Sequence, residues 1–306
     1  MNSWTRTGPV VVEVDGSSDG LRVVDYAAQD ALHAGADLVL VAPFYNYGTY
    51  PPMTPPHQQA SPSEDAAAAL RDAADQVRRR YGRDLVIKNI AMEGSRLKVL
   101  RTAAREARVL VVGRDHDNGP AALISAQGNL ALAGHLRCPV IVVPTPWKSN
   151  PAEHSIAVGI DGTPLSLAAV EFAFRTAADR RAGLTVVHSH HLPYRLPPDD
   201  AWTERAGLTV AETLAGWDEE FPQVKVTRLL TTRPVVAALA RESEHAALII
   251  VGAHAGPLPI GDPVARRTIA ELPCPVAIVA HHVTSAERDQ QRREIPGRLD
   301  TFAPIT

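Results

Sequence analysis

The nine residues LRCPVIVVP end at position 144, and LPCPVAIVA, ending at position 280, repeats them with Cys138-Pro139 and Cys274-Pro275 in the same place. This repeat constrains the fold more than any single motif, because a phrase that closes one structural unit and occurs twice closes two copies of that unit. Other stretches align in the same order. VVVEVDGSS (10–18) faces SIAVGIDGT (155–163), pairing Asp15 with Asp161; DLVLVA (37–42) faces GLTVVH (183–188), and VLVVG (109–113) faces LIIVG (248–252). The separation between partners shrinks in steps along the chain. One gap falls in the Pro-rich stretch YNYGTYPPMTPPHQQASPS, shorter in the second copy as HHLPYRLPPDD, and another follows the Val-Gly phrase. Length changes confined to connecting segments are what a duplicated fold tolerates.

Within each copy, short β-branched runs alternate with helical patterns. Leu21, Val24, Ala28, Ala31 and Gly35 follow the three-and-four spacing of one helix face. EDAAAALRDAADQVRRRYG is Ala-rich and amphipathic, with Gly82 as its stop; LVIKNIA reads as strand, SRLKVLRTAAREA as helix, VLVVG as strand, 126–137 as helix and PVIVV as strand. The second copy gives FAFRTAADRRAG, RAGLTVAETLAGWDEEF, VKVTRLL, PVVAALARESEHA, LIIVG and PVAIV. Alternating helices and nearly all-apolar strands predict an α/β fold. Each copy is a doubly wound, Rossmann-like domain with a parallel sheet covered by helices on both faces. The expected boundaries are 1–146 and 155–282 for the two domains, 147–154 for the linker and 283–306 for a charged tail. The apolar closing runs PVIVV and PVAIV are able to pair edge to edge across the halves, hiding two sheet edges inside one chain.

Composition narrows the partners. With 31 Lys+Arg against 34 Asp+Glu, no global positive field favours nucleic acid or an anionic membrane, and neither is expected. No apolar run approaches the roughly 18 residues of a membrane span, and the start lacks the layout of a secretory signal, so the expected location is cytoplasmic. Two cysteines make no disulfide framework and read as buried thiols. His188, His190, His191 and His254 have no structural-zinc spacing, and no metal site is expected. A G-x-S-x-G elbow and a G-x-x-x-x-G-K-[ST] loop are both missing, and no catalytic residue is assigned.

In open parallel sheets ligands bind beyond the carboxyl ends of the strands, where strand order reverses. That rule points to Asp15 and Asp161, each closing a first strand ahead of a glycine, and to the loops after Gly113 and Gly252. There, backbone N–H groups ahead of a helix could face phosphate.

At these residues the chain resembles the universal stress protein family. VEVDGSS, LVVGRDHDNG and CPVIVV in the first copy carry the resemblance, with VGIDGTPLS, LTVVHS, IIVGAHAGPLPIGD and CPVAIV in the second. The resemblance implies two tandem domains, each with five parallel strands in the order 3-2-1-4-5, packed as an intrachain pseudo-dimer and open to further homo-oligomerisation. It also implies adenine-nucleotide binding in some members, ATP with Mg, through a Gly, two residues, Gly, nine residues, Gly, Ser/Thr loop. Carried over, Asp15 and Asp161 match the adenine-side Asp, while Pro43 and Ser189 stand where that family usually has Val. In the first copy Gly113 opens the loop, His116 replaces its second glycine, Ala126 and Gln127 replace its final pair, and Gly119 is the other glycine within it. The second copy keeps Gly252, has Gly256 one place late and closes on Gly261 and Asp262 in a shorter loop. There Asp262 reads as helix N-cap ahead of Pro263, placing a carboxylate where phosphate would sit. The expectation is a non-catalytic stress-response regulatory or binding protein with degenerate adenine-nucleotide sites. The alternative is an ATP-binding switch or slow ATPase using the second-domain site.

Overall fold

The seam between the two copies is built from the repeated phrase itself. The computed structural model describes residues 7–45, 61–114, 119–145, 147–150, 155–189, 200–254 and 263–281. The first half runs β1 (Val10–Glu13), α1 (Gly20–Ala34), β2 (Leu38–Phe44), α2 (Pro62–Tyr81), β3 (Ile87–Glu93), α3 (Arg96–Ala103), β4 (Val109–Gly113), α4 (Gly119–Gly134) and β5 (Val140–Val143). The second runs β6 (Ser155–Ile160), α5 (Pro164–Arg180), β7 (Gly183–Ser189), α6 (Asp200–Leu214), α7 (Trp217–Glu220), β8 (Val226–Thr231), α8 (Val235–Glu242), β9 (Ala246–His254), α9 (Pro263–Glu271) and β10 (Val276–His281). All ten strands form one sheet in the order β3-β2-β1-β4-β5-β10-β9-β6-β7-β8, so each half has the 3-2-1-4-5 order. Pairing within each half is parallel. The halves meet in an antiparallel pair of β5 and β10, with Ile141 opposite Ala277. Pro139 and Pro275 lack an N–H and stand immediately before these strands, where no ladder donor is needed. Their carbonyls accept from Leu110 N and Ile249 N, both at 3.0 Å.

Alternation along each strand splits the core into two layers. Val10, Val12, Leu38 and Leu40 point to one face, with Ala27 of α1, Ala73 of α2 and Phe174 of α5. Val11, Val39 and Val41 point to the other, with Leu100 of α3, Leu130 of α4, Leu239 of α8 and Ile269 of α9. α1 ends in a Schellman turn: Gly35 takes the left-handed conformation (φ 60°), and Ala36 N–H bonds to Ala31 O. α5 ends the same way with Arg181 at φ 51°, a position where glycine would be less strained.

Several element boundaries differ from the sequence reading, two of them for a clear local reason. α4 begins at Gly119, not near residue 126, because Pro120 occupies the first turn, where a missing N–H costs nothing. Gly119 is therefore the first residue of a helix, not part of a loop. RAGLTVAETLAGWDEEF is two helices, since Gly216, at φ 84°, ends the continuous pattern between α6 and α7. The predicted tail, 283–306, lies outside the described residues. Cys138 and Cys274 are buried and unpaired with each other, and burial pushes the Cys138 thiol up to about 12, leaving it protonated.

Arginines bind the halves together on both faces. Arg180 of α5 donates to Asp30 Oδ1 (2.7 Å) and the Tyr26 hydroxyl (2.6 Å) of α1. Arg114, after β4, donates to the carbonyls of Ile269 and Leu272 at the end of α9. Arg108 pairs with Asp179.

Candidate functional site

The carboxyl ends of β1 and β6 each release the chain into an Asp-Gly turn. Gly16 and Gly162 take φ of 77° and 80°, and the aspartate caps its own turn. Asp15 Oδ1 accepts from Ser17 N (2.9 Å) and Ser17 Oγ (2.8 Å); Asp161 Oδ1 accepts from Thr163 N (2.9 Å) and Thr163 Oγ1 (2.7 Å). Asp161 has a further donor, the buried Ser166 hydroxyl at 2.6 Å, whose oxygen also accepts from Asp161 N. Burial is the largest influence on the Asp161 carboxyl and works to raise it. The donors from Ser166 and Thr163 together outweigh burial and hold the group below its ordinary value. The stability tied to this carboxylate is therefore present above the ordinary 3.8 and lost as pH falls through the lowered folded value. Asp161→Asn is expected to flatten the acid limb of a stability–pH curve below pH about 4; an acid limb identical to wild type would refute this.

Around these turns the two halves differ. A methyl group added at Gly16 would sit 3.5 Å from Ala69 Cβ of α2, ordinary contact, whereas one at Gly162 would meet Thr209 Cγ2 of α6 at 2.3 Å. Thr209 of α6 thus lies closer to the second-half turn than Ala69 of α2 does to the first. In the first half a cleft of about 840 Å³ lies between the β1 turn, the end of β2 and α2. Asp15, Pro43, Phe44, Ala66, Asp65 and Asp72 line it. A second lobe of about 480 Å³ lies on the other side of Asp15, between the ends of β1 and β4, and reaches Gly113. Asp15 sits at the junction of the two lobes, at the switch point where strand order reverses.

Three residues that sequence reasoning did not single out shape this crevice. Arg96, at the start of α3, makes a bidentate pair with Glu13, both bonds at 2.7 Å, and also donates to Asn129 Oδ1 (3.1 Å). Asn129 in turn donates to Gly113 O (3.1 Å), so the ends of β1 and β4 are bridged. Arg22, in the first turn of α1, lies across the smaller lobe and donates to the carbonyls of Pro144 (2.8 Å), Arg114 (3.1 Å) and Asp19. A cation seven residues past Asp15, on the helix that follows, was the available signal for Arg22; nothing local marked Arg96 or Asn129.

The remaining predicted positions are dispersed. Ser189 ends β7 with its hydroxyl donating to Arg233 O (2.6 Å), and Gly252 lies within β9, opposite Val279. Gly119 opens α4 beyond Gly113. Gly256, Gly261 and Asp262 lie outside the described residues, as do His190 and His191. His188 is buried with Nδ1 3.2 Å from Ile160 O. Among the described residues, no group of three or more His, Cys, Asp or Glu side chains could hold a metal ion, and no helix is long and apolar enough to cross a membrane.

A model described as the universal stress protein family matches residues 7–144 and again residues 154–280. The chain belongs to the universal stress protein family. Among its relatives, universal stress protein Rv2005c of Mycobacterium tuberculosis (strain ATCC 25618 / H37Rv) is 29% identical over 255 residues, covering 80% of this chain and 86% of that one. Universal stress protein Rv2623 of the same strain is 27% identical over 297 residues, covering 92% and 98%. The crystal structure of a universal stress protein from Archaeoglobus fulgidus DSM 4304 superposes with a TM-score of 0.66 at 16% identity, covering 91% of this chain and 98% of that one. That likeness extends the agreement to the fold of a tandem universal stress protein.

The ATP expected of some universal stress proteins can be tested against the residues present. The larger lobe fits a nucleoside: it is concave, part apolar, and has Asp15 at its inner end. The triphosphate fits poorly. Glu13, Asp15, Asp65 and Asp72 line the larger lobe, and among the described residues its one cation is Arg96, already held by Glu13. Among the described residues the smaller lobe is lined by three arginines, Arg22, Arg96 and Arg114, each already engaged: Arg22 with main-chain carbonyls, Arg96 with Glu13 and Arg114 with the carbonyls of Ile269 and Leu272.

Proposed function

We propose that this universal stress protein is a non-catalytic stress-response binding protein, with its working site in the first half. There the crevice at Asp15 takes an uncharged nucleoside-sized ligand of the adenosine class in preference to ATP with Mg. The observation that carries this reading is the 840 Å³ cleft between the β1 turn and α2, within the range of small-molecule sites and lined, among the described residues, by four carboxylates against one arginine that Glu13 already pairs. A polyanion entering it would meet uncompensated like charge in a partly desolvated space. The stress-response element of the proposal comes from the names of the relatives. Both halves are then degenerate as triphosphate sites, the first through its acidic lining and the second through the pressure of Thr209 on its turn.

Titration calorimetry with adenosine, AMP and ATP, each with and without Mg²⁺, tests the proposal. Affinity should fall in that order. Asp15→Ala should weaken adenosine by about tenfold or more, the loss of one charged hydrogen-bond acceptor, while Asp161→Ala should leave it within about twofold. ATP with Mg²⁺ binding more tightly than adenosine, or dependence on Asp161 in place of Asp15, would overturn the reading and favour an ATP-occupied switch in the second half.

A further inference from the structure

A third cavity, of about 290 Å³, lies between the halves and shares no lining residue with the crevice. Its walls are Tyr26, Asp30 and His33 of α1, Trp147 and Ser149 of the connecting segment, and Arg180 of α5. We propose that it is a second binding site, taking an uncharged planar ring that carries a carboxamide or lactam edge, and that its occupant ties both halves to the connecting segment. This proposal does not rest on the reading of the Asp15 crevice.

Size sets the first limit. The volume is at the lower end of the range for small-molecule sites, room for one substituted ring and not for a nucleotide. Charge sets the second. Arg180 and Asp30 are each 10% exposed and neutralise one another at 2.7 Å. The imidazole of His33 is held below its ordinary value, by burial first and by Arg180 second, and is uncharged at neutral pH. The walls therefore hold no uncompensated charge, and an ionic occupant would lose its hydration without gaining a counter-ion.

Hydrogen-bonding capacity supplies the third limit. Asp30 Oδ1 is taken by Arg180, and among the described residues no donor is bonded to Oδ2. The Tyr26 hydroxyl, 4% exposed, accepts from Arg180, and among the described residues nothing accepts its proton. Asp30 Oδ2 and the Tyr26 hydroxyl proton are thus an acceptor and a donor on one Arg180-centred cluster that an occupant of the cavity can use. The N–H and C=O of an amide edge are complementary to that pair. Trp147 meets Tyr26 edge-on, with centroids 5.2 Å apart and planes at 78°, so the two rings offer a face and an edge to a planar guest. Ser149 donates to Gln29 Oε1 at 3.0 Å, anchoring the connecting segment beside Trp147.

The test uses the full chain and three ring compounds of one shape and different charge: nicotinamide, nicotinate and benzamidinium. The indole N–H resonance of Trp147, assigned with Trp147→Phe, reports occupancy. Nicotinamide should shift it saturably with Kd on the order of 1 mM, the scale of a small fragment, and the two ions should bind at least about tenfold more weakly. Ala247→Leu, which fills the cavity from β9, should abolish the shift while leaving adenosine calorimetry unchanged. A flat titration with nicotinamide, nicotinate binding as well as nicotinamide, or a titration unaffected by Ala247→Leu would each overturn the assignment.

Discussion

Replacing Arg180 by methionine is expected to destabilise the folded chain by about 3–5 kcal/mol, the usual consequence of removing one member of a buried ion pair. The substitution leaves Asp30, in a side chain only 10% exposed, without its counter-charge and strips the Tyr26 hydroxyl of its donor. Tyr26 is already an unwilling acid: burial pushes its phenol up to about 12, so it cannot compensate by ionising. The pair is not itself a large net source of stability. Arg180 Nε is buried without a hydrogen-bond partner, and two ions taken out of water recover little beyond their desolvation. Arg180→Met combined with Asp30→Leu should therefore recover most of the loss. Urea denaturation of the wild type and the two variants decides the matter. A single-variant loss below about 1 kcal/mol, or a double variant no better than the single, would show that the pair does not join α1 to α5 in this way.

Phe174→Ala is expected to cost a similar amount, about 3–5 kcal/mol, by a different route. Phe174 is fully buried in α5, stacked on Trp217 at 5.5 Å and 15° and packed on Phe221 at 5.8 Å. α7, which carries Trp217, has four residues, too few to persist without packing. Truncation at Phe174 removes the surface that holds it, so Trp217 should become solvent-exposed. Denaturant midpoints give the stability change, and a red shift in emission lost in a Trp217→Phe background identifies the released ring. Unchanged emission together with a loss under about 1 kcal/mol would contradict the role given to this cluster.

Sequence carried the architecture because architecture here is a matter of local pattern. β-branched runs, the two Cys-Pro phrases and the order of their repeats already imply ten strands and leave PVIVV able to pair with PVAIV, the pairing seen at the seam. Asp15 and Asp161 were legible for the same reason, as polar residues ending apolar strands before glycine. The bonds that shape the crevice were not, because they join residues far apart in the chain: Arg96 to Glu13 over 83 positions and Arg22 to Pro144 over 122. No periodicity encodes such a pair. Arg180 and Asp30, 150 positions apart, are hidden in the same way. The different neighbours of the two turns, Ala69 of α2 beside Gly16 and Thr209 of α6 beside Gly162, were hidden too, each unremarkable within its own helix. Gly119 was misplaced because Gly-Pro reads as a loop until the helix it opens is seen.

The antiparallel meeting of β5 and β10 has a consequence for how a molecule of this kind is addressed. Since every other strand pair is parallel, the first-half strands point one way and the second-half strands the other, so the Asp15 and Asp161 turns emerge at opposite poles. A macromolecule docked on one pole is blind to what occupies the other. Between the two poles lie the five-ten seam and the arginines that flank it.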